Sequence, residues 1–372
     1  MIVIVGTGPA ALVAATLLVE AGVRPVVLEG KAAPGWRLLV AGSSGLNVAW
    51  ECPPEELASH YPERSRELAE CFREFGKDDW LSLLHSLRQE TFLGTSRRHF
   101  LRSMKAAPLL QAWIRHLESK GAEFHYDEPI VDLIATDGGW KIHADSGRAW
   151  DCRFALLALG GGSWENPKWP TMLKKLGMEV KPFSPSNAGW HIEAPPEFFR
   201  EAEGKPIKGV TLRTSLGSRT GELMITRYGL EGTPVYTLGT PGLAHLDLKP
   251  DLPESKLRER LASGSGPLQK RAKLSPGAWL LARHLAPSGV LENPARAAAI
   301  LKNFPLTLTH SRPLSESISS RGGLSWDELG ENLEARKHPG LFFAGEMVDW
   351  DAPTGGFLLT ACASMGAKAA RG

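Results

Sequence analysis

The chain opens on an unbroken apolar run, Ile2-Val3-Ile4-Val5, that stops at Gly6-Thr7-Gly8. Apolar residues then dominate to Ala21-Gly22, and a second apolar run, Val26-Val27-Leu28, ends on Glu29. Four β-branched residues without alternation predict a strand covered on both faces, and the Ala/Leu/Val stretch after it predicts a buried helix. Residues 122–162 predict a strand, a small antiparallel meander turning at Gly138-Gly139, and a returning buried strand that runs into Gly160-Gly161-Gly162. Near the end, Leu341-Phe342-Phe343 leads into Ala344-Gly345-Glu346, and Thr354-Gly355-Gly356 opens an apolar helix at Phe357. A strand, a glycine turn and a helix therefore stand at both ends of the chain.

The middle reads differently. Short β-type runs separated by Gly and Pro occur at "AGWHIEAP", "IKGVTLRTSL", "GELMITRYGLEGTPVYTLG" and "FPLTLTHSRPLSES", whereas residues 251–304 carry helical spacing. The expected fold is α/β: a Rossmann-like domain over 1–187 and 335–372, interrupted by two inserts. One is a small β-barrel-like domain over 188–250 and 305–334, the other a helical insert over 251–304. At 372 residues, more than one domain is expected.

The N-terminal motif reads G-x-G-x-x-A, with Ala11 in the third glycine's place. Gly6 permits the tight turn, Gly8 lets a pyrophosphate approach the backbone, and the helix N-terminus offers N–H groups and a positive dipole end. Glu29 stands where an acid accepts hydrogen bonds from a ribose and disfavours a 2′-phosphate, so FAD or NAD suits the site better than NADP.

Composition narrows the class only slightly. The net charge of +2 names no partner, and neither does it name an oligomeric state. Cys52, Cys71, Cys152 and Cys362 are widely spaced with no C-x-x-C, which argues against structural zinc and a dithiol centre and fits a reducing cytosol. No metal-ligand spacing and no Ser-His-Asp set appear. The most apolar stretch, residues 10–19, is too short to span a bilayer, and no basic leader precedes the first strand, so a cytoplasmic protein is expected. Residues 251–304 hold nine Lys/Arg and four Asp/Glu, an excess that reads either as a solvated helix exterior, the preferred reading, or as a surface for RNA.

A meander followed by a strand ending in Gly-Gly is the layout of glutathione-reductase-type FAD domains. Over nearly its whole length the sequence resembles the BaiN/YhiN-like flavoproteins. The likeness is carried by "PGWRLLVAGSSGLNVAW" (34–50), "MKAAPLLQAW" (104–113), "LALGGGSW" (157–164), "GELMITRYGLEG" (221–232) and "SESISSRGGL" (315–324). Many members have Arg-Cys before the asparagine, whereas this chain has Gly45-Leu46 before Asn47, a divergent A-G-x-x-G-L-N version.

Motif and resemblance together assign to FAD the turn residues Gly6, Gly8, Pro9 and Ala10, with Glu29, Gly30 and Arg37. They add Gly42, Ser43, Ser44 and Asn47, then Ile130, Val131, Gly160 and Gly161, and finally Gly345, Glu346, Gly355, Gly356 and Phe357. Arg37 stands in the family's basic position, suited to the pyrophosphate, and Glu346 stands where the family often has Asp near the ribityl chain. His99, Ser320 and Arg321 enter as acid/base candidates because they lie in or beside matched blocks. A basic cluster, Arg97-Arg98-His99 with Arg102 and Lys105, reads as a helix end or as an anion-holding group. No second G-x-G-x-x-G unit appears, so NAD(P)H would visit as a transient donor. The implied activity is FAD-dependent reduction of an unsaturated small molecule. The alternatives are a flavin-dependent RNA-modifying enzyme of the dihydrouridine type and a flavin-binding sensor or scaffold without turnover.

Overall fold

The computed structural model describes residues 1–372 except 43–44, 62–63 and 164–166. Ser43 and Ser44 therefore lie outside the described residues. The chain divides into two compact units, Met1–Ser184 with Ile318–Gly372, and Pro185–Ser317.

The first unit is built on a five-stranded parallel sheet. Its order is Leu341–Phe343, Phe154–Leu157, Ile2–Val5, Val26–Leu28, Glu123–His125. Val3 sits opposite Ala155 on one side and Val26 on the other, so the first strand is central and its three inner residues are buried. That is why its residues are apolar without alternation. The helix Pro9–Glu20 follows it with Pro at its first position, where a missing N–H costs nothing. The terminal helix Phe357–Arg371 follows the edge strand Leu341–Phe343. The meander Ile130–Thr136, Gly139–Ala144, Ala149–Cys152 is antiparallel, with Thr136 opposite Gly139. Its turn is thus Asp137-Gly138, one position earlier than the sequence pattern indicates.

A three-stranded antiparallel sheet, Asn47–Trp50, Arg98–Leu101 and Thr91–Leu93, was not anticipated. The Arg97–Lys105 stretch is consequently no helix end: Arg98–Leu101 is a strand, and the helix begins at Ala106.

In the second unit a closed six-stranded barrel runs Trp190–Ile192, Gly229–Glu231, Gly217–Ile225, Pro206–Thr214, Gly242–Asp247, Phe304–Ser311. The strand Gly242–Asp247 had no distinct signal of its own. Helices Glu254–Ser263, Leu268–Ala272, Pro276–Leu285 and Pro294–Lys302 occupy the stretch read as helical. Leu257, Leu261, Ala297 and Leu301 join Val210, Leu212, Leu246 and Phe304 in one buried cluster, so the boundaries at 250 and 305 fall inside a single unit. Residues 318–334 belong instead with the first unit. Strand Ser319–Leu324 pairs with Val180–Ser186, and Ser325 N–H donates to Glu179 O at 3.0 Å.

Part of the basic excess of 251–304 is neutralised within this unit. Lys302 pairs with Asp247 at 2.8 Å, and Arg283 with Glu201.

Candidate functional site: a cavity in the first unit

A cavity of about 570 Å³ opens where the first strand ends. Gly6 makes the turn with φ +109°, and a Cβ there would lie 2.4 Å from Ala158 O, so no side chain fits. Gly8 caps the helix Pro9–Glu20 without a side-chain hydrogen bond, and a Cβ on it would meet nothing within 4 Å. The helix N-terminus therefore faces open space, as an anion site requires.

Of the residues nominated from sequence, Gly6, Gly8, Pro9 and Ala10 wall this cavity from the turn, and Glu29 and Gly30 from the second strand's tip. Arg37, Ile130 and Gly160 line it as well, with Gly345 and Glu346 closing it from the far end of the chain. Elements some 340 residues apart thus meet at one cavity because their strands share one sheet.

Other nominated residues sit elsewhere. Val131 alternates with Ile130 along its strand and is 42% exposed. A Cβ on Gly42 would come 2.9 Å from the Ala106 Cβ, so Gly42 packs against the helix Ala106–Ser119. Asn47 opens its strand opposite Phe100. Gly161 faces Ser320, whose Oγ would lie 2.4 Å from its Cβ. Gly355 and Gly356 both take left-handed φ, and a Cβ on Gly356 would sit 2.5 Å from the Ala49 backbone. Phe357, 2% exposed, is stacked on Trp50 at 5.3 Å and packed against His60 at 4.6 Å, and its carbonyl accepts the Tyr61 hydroxyl at 2.7 Å.

The three acid/base candidates are already engaged. His99 Nε2 meets Glu51 at 2.5 Å, and Lys77 reaches the same carboxylate at 2.9 Å. These contacts with Lys77 and His99 hold Glu51 below the usual carboxylate range. By strand alternation His99 and Arg98 point to opposite faces. It is Arg98, over the Trp50 ring at 5.9 Å, that approaches the Gly355–Gly356 turn. Ser320 Oγ accepts the Gly162 N–H at 2.8 Å and braces the triple-glycine turn. Arg321 pairs with Asp351 at 2.7 Å.

Sequence reasoning missed several cavity residues. Thr7, an unspecified position of the motif, donates its hydroxyl to Glu29 and accepts the Gly35 N–H at 2.8 Å. It ties the first turn, the second strand tip and the loop before Arg37 together. The only available signal was a hydroxyl between the two glycines. Lys31, Trp36, Glu128, Lys168 and Trp169 also line the cavity, and Trp169 Nε1 donates to Gly160 O at 3.2 Å.

Burial dominates the electrostatics of the cavity's acids. Burial pushes the Glu29 carboxyl up, against hydrogen bonds from Thr7 and from the Lys31 N–H at 3.0 Å. Burial also pushes Glu346 up, while Arg37 opposes the shift and Asp351 adds to it. The buried Arg37 Nη1 has no hydrogen-bond partner. An unpaired buried donor costs about 1–3 kcal/mol, and such groups call for a specific partner. An anionic group in this cavity supplies one, so the residues present fit a dinucleotide pyrophosphate. The Cys362 thiol beside Glu346 is held well above its ordinary value by burial, and no thiolate chemistry follows. Among the described residues, no group of three or more His, Cys, Asp or Glu could hold a metal ion, and no helix is long and apolar enough to cross a membrane.

Comparison with known proteins bears on the family and the fold. A 3-dehydro-bile acid delta(4,6)-reductase from Clostridium scindens is 24% identical over 96% of this chain and 94% of its own. Among solved structures, the 3-ketosteroid delta1-dehydrogenase of Sterolibacterium denitrificans in complex with 1,4-androstadiene-3,17-dione shares the fold at TM-score 0.53. It is 12% identical, over all of this chain and 98% of that one. Mycobacterium smegmatis Sdh1 in complex with UQ1 matches at TM-score 0.51 and 15% identity, over all of this chain and 67% of that one. The HI0933-like protein Rossmann domain model matches residues 1–372, end to end. The chain therefore belongs to the HI0933-like Rossmann-domain family of FAD-dependent oxidoreductases.

Proposed function

We propose that this enzyme uses FAD to reduce an unsaturated small molecule, with NADH or NADPH as the transient hydride donor. The observation that carries the cofactor assignment is the buried, unpartnered Arg37 Nη1 in a cavity framed by Gly6, Gly8, Glu29 and Glu346. In this reading Arg37, the Gly6–Gly8 backbone and the N-terminus of helix Pro9–Glu20 hold the pyrophosphate. Glu29, kept in place by Thr7, takes the ribose, and Glu346 takes the ribityl hydroxyls. Gly160 contributes backbone, and Ile130 contributes apolar wall. Bound there, FAD supplies a ring that accepts a hydride and passes it on. The N-terminus of helix Phe357–Arg371 offers N–H groups and a positive dipole end for negative charge on that ring.

The acceptor class rests on the Clostridium scindens relative, whose name states reduction of a 3-dehydro-bile acid and whose likeness spans nearly both chains. The absence of a second G-x-G-x-x-G in the sequence supports a donor that visits rather than resides.

The test is anaerobic. The FAD-loaded protein is mixed with NADH or NADPH while the flavin band is followed, then with a conjugated enone such as a 3-oxo-4-ene steroid. Bleaching by a nicotinamide and recovery of colour with the enone are expected. A band that neither nicotinamide bleaches overturns the donor assignment. A reduced flavin that conjugated enones leave reduced overturns the acceptor assignment.

A further inference from the structure

The Gly160–Gly161 turn lies against Arg37 and Glu346, two residues of opposite charge that wall the same cavity. A Cβ on Gly160 would lie 2.1 Å from Arg37 Nη1, and one on Gly161 would lie 3.2 Å from Glu346 O and 3.5 Å from Glu346 Cβ. Arg37 and Glu346 are thus neighbours across one turn, on helix Trp36–Ala41 and beyond the strand Leu341–Phe343. Among the described residues, Arg37 is the cation that acts on Glu346. The other ionisable groups acting there are Asp351, a like charge that Arg321 pairs at 2.7 Å, and Cys362 on the terminal helix, which stays a neutral thiol. The remaining carboxylates of the cavity have their own partners. Glu29 is held by Thr7 and the Lys31 N–H, and Glu128 by Arg148 at 2.9 Å. The cations Lys31 and Lys168 line the cavity too.

One guanidinium cannot neutralise both a carboxylate and a pyrophosphate. Resting on the reading that this cavity takes the pyrophosphate of FAD, we propose that a proton is the site's second ligand. The entering pyrophosphate brings its negative charge to Arg37, whose field otherwise opposes the upward shift of Glu346, and Glu346, left between Asp351 and low-dielectric surroundings, takes up a proton from solvent. A carboxylate that loses its counter-charge under burial neutralises rather than remaining charged. Its protonated form still donates or accepts hydrogen bonds, so it continues to serve the ribityl hydroxyls.

The sign follows from linkage. Glu346 holds its proton more tightly with ligand bound than without, so the ligand binds the protonated protein more tightly. Affinity for FAD is greatest on the acid side. It falls as pH rises through the window between the Glu346 value in the empty protein, already above the ordinary carboxylate range, and its higher value in the loaded one. Within that window the fall approaches about tenfold per pH unit for a single coupled proton.

The experiment titrates apoprotein with FAD from mildly acidic to mildly alkaline pH by flavin fluorescence. Calorimetry in two buffers of different ionisation enthalpy reads proton uptake directly. Wild type is expected to take up a proton on binding and to lose affinity as pH rises. Glu346→Gln, which keeps hydrogen-bonding capacity without titrating, is expected to abolish the uptake and flatten the pH dependence. Arg37→Gln is expected to weaken binding at every pH and flatten it as well. Binding by wild type without proton uptake overturns the proposal alone, and so does undiminished uptake in Glu346→Gln. If Glu346→Gln does not fold, the wild-type calorimetry decides. A wild-type protein that binds no FAD at any pH overturns the cofactor reading itself, and this proposal with it.

Discussion

Replacing Arg37 by methionine should push binding and stability in opposite directions. The side chain is partly buried, and its Nη1 has no hydrogen-bond partner. A buried, unsatisfied donor costs about 1–3 kcal/mol, and methionine matches much of the arginine stem while carrying no donor. Removing the charge also removes the counter-charge of Glu346, but that carboxyl can neutralise by taking a proton. The apoprotein should therefore lose no stability, and a gain of about 1 kcal/mol would raise its melting temperature by roughly 1–2 °C. FAD binding should weaken, because a charge-assisted hydrogen bond is worth about 1.5–3 kcal/mol, or roughly 10- to 150-fold in Kd. Thermal melts of the apoprotein and fluorescence titration with FAD read the two effects separately. A variant that melts lower and binds FAD as tightly as wild type would refute the reasoning, because Arg37 would then be a structural residue.

Four further predictions rest on single contacts. Thr7→Val removes the hydroxyl that serves both Glu29 and the Gly35 N–H, and should cost about 1–3 kcal/mol in urea unfolding as well as weakening FAD binding; an unchanged midpoint would contradict it. Gly6→Ala forces a Cβ to 2.4 Å from the Ala158 carbonyl oxygen at φ +109°, so FAD retention should be lost in any protein that still folds. All four cysteines are buried and free, with Cys52 pushed up to about 11 and Cys71 to about 12. A thiol reagent should therefore label them at neutral pH only after unfolding, and rapid native labelling would refute this burial. His191 stacks on His310 at 4.1 Å, and burial, His310 and Arg312 all hold its pKa below the ordinary imidazole value. Its stabilising contribution is present above that ordinary value and is lost as pH falls toward the lower folded one, so wild type should melt progressively lower on mild acidification and His191→Gln should lose part of that dependence.

What could be read from sequence follows from how local each signal is. The first turn was readable because strand, turn, helix and acid lie within thirty residues, each constrained by the same ligand geometry. Glu346 could be read as a strand-tip acid because Leu341-Phe342-Phe343 is an unmistakable buried strand. The sheet Asn47–Trp50, Arg98–Leu101, Thr91–Leu93 escaped notice because its strands are short and of mixed polarity, and Asn47–Trp50 pairs with Arg98–Leu101 across some fifty residues. His99 was nominated for its place beside a matched block. Without the strand there is no alternation to separate it from Arg98, which approaches the Gly355–Gly356 turn. Thr7 was passed over because the motif constrains its neighbours' backbone and leaves its side chain free, and its partners Glu29 and Gly35 become visible only once the strands are aligned. The helices of 254–302 were identified as helices, but nothing in their spacing tells that Leu257, Leu261 and Leu301 join the barrel's buried residues in one cluster.

If FAD sits in the cavity beyond the first strand, Arg37 is the side chain its retention should depend on. The most direct measurement is the visible spectrum of the purified protein, before and after incubation with FAD and removal of excess ligand, alongside Arg37→Met treated identically. A flavin band stoichiometric with wild-type chain, and much reduced in the variant, is the predicted result. A wild-type protein with no flavin band after incubation would contradict the account.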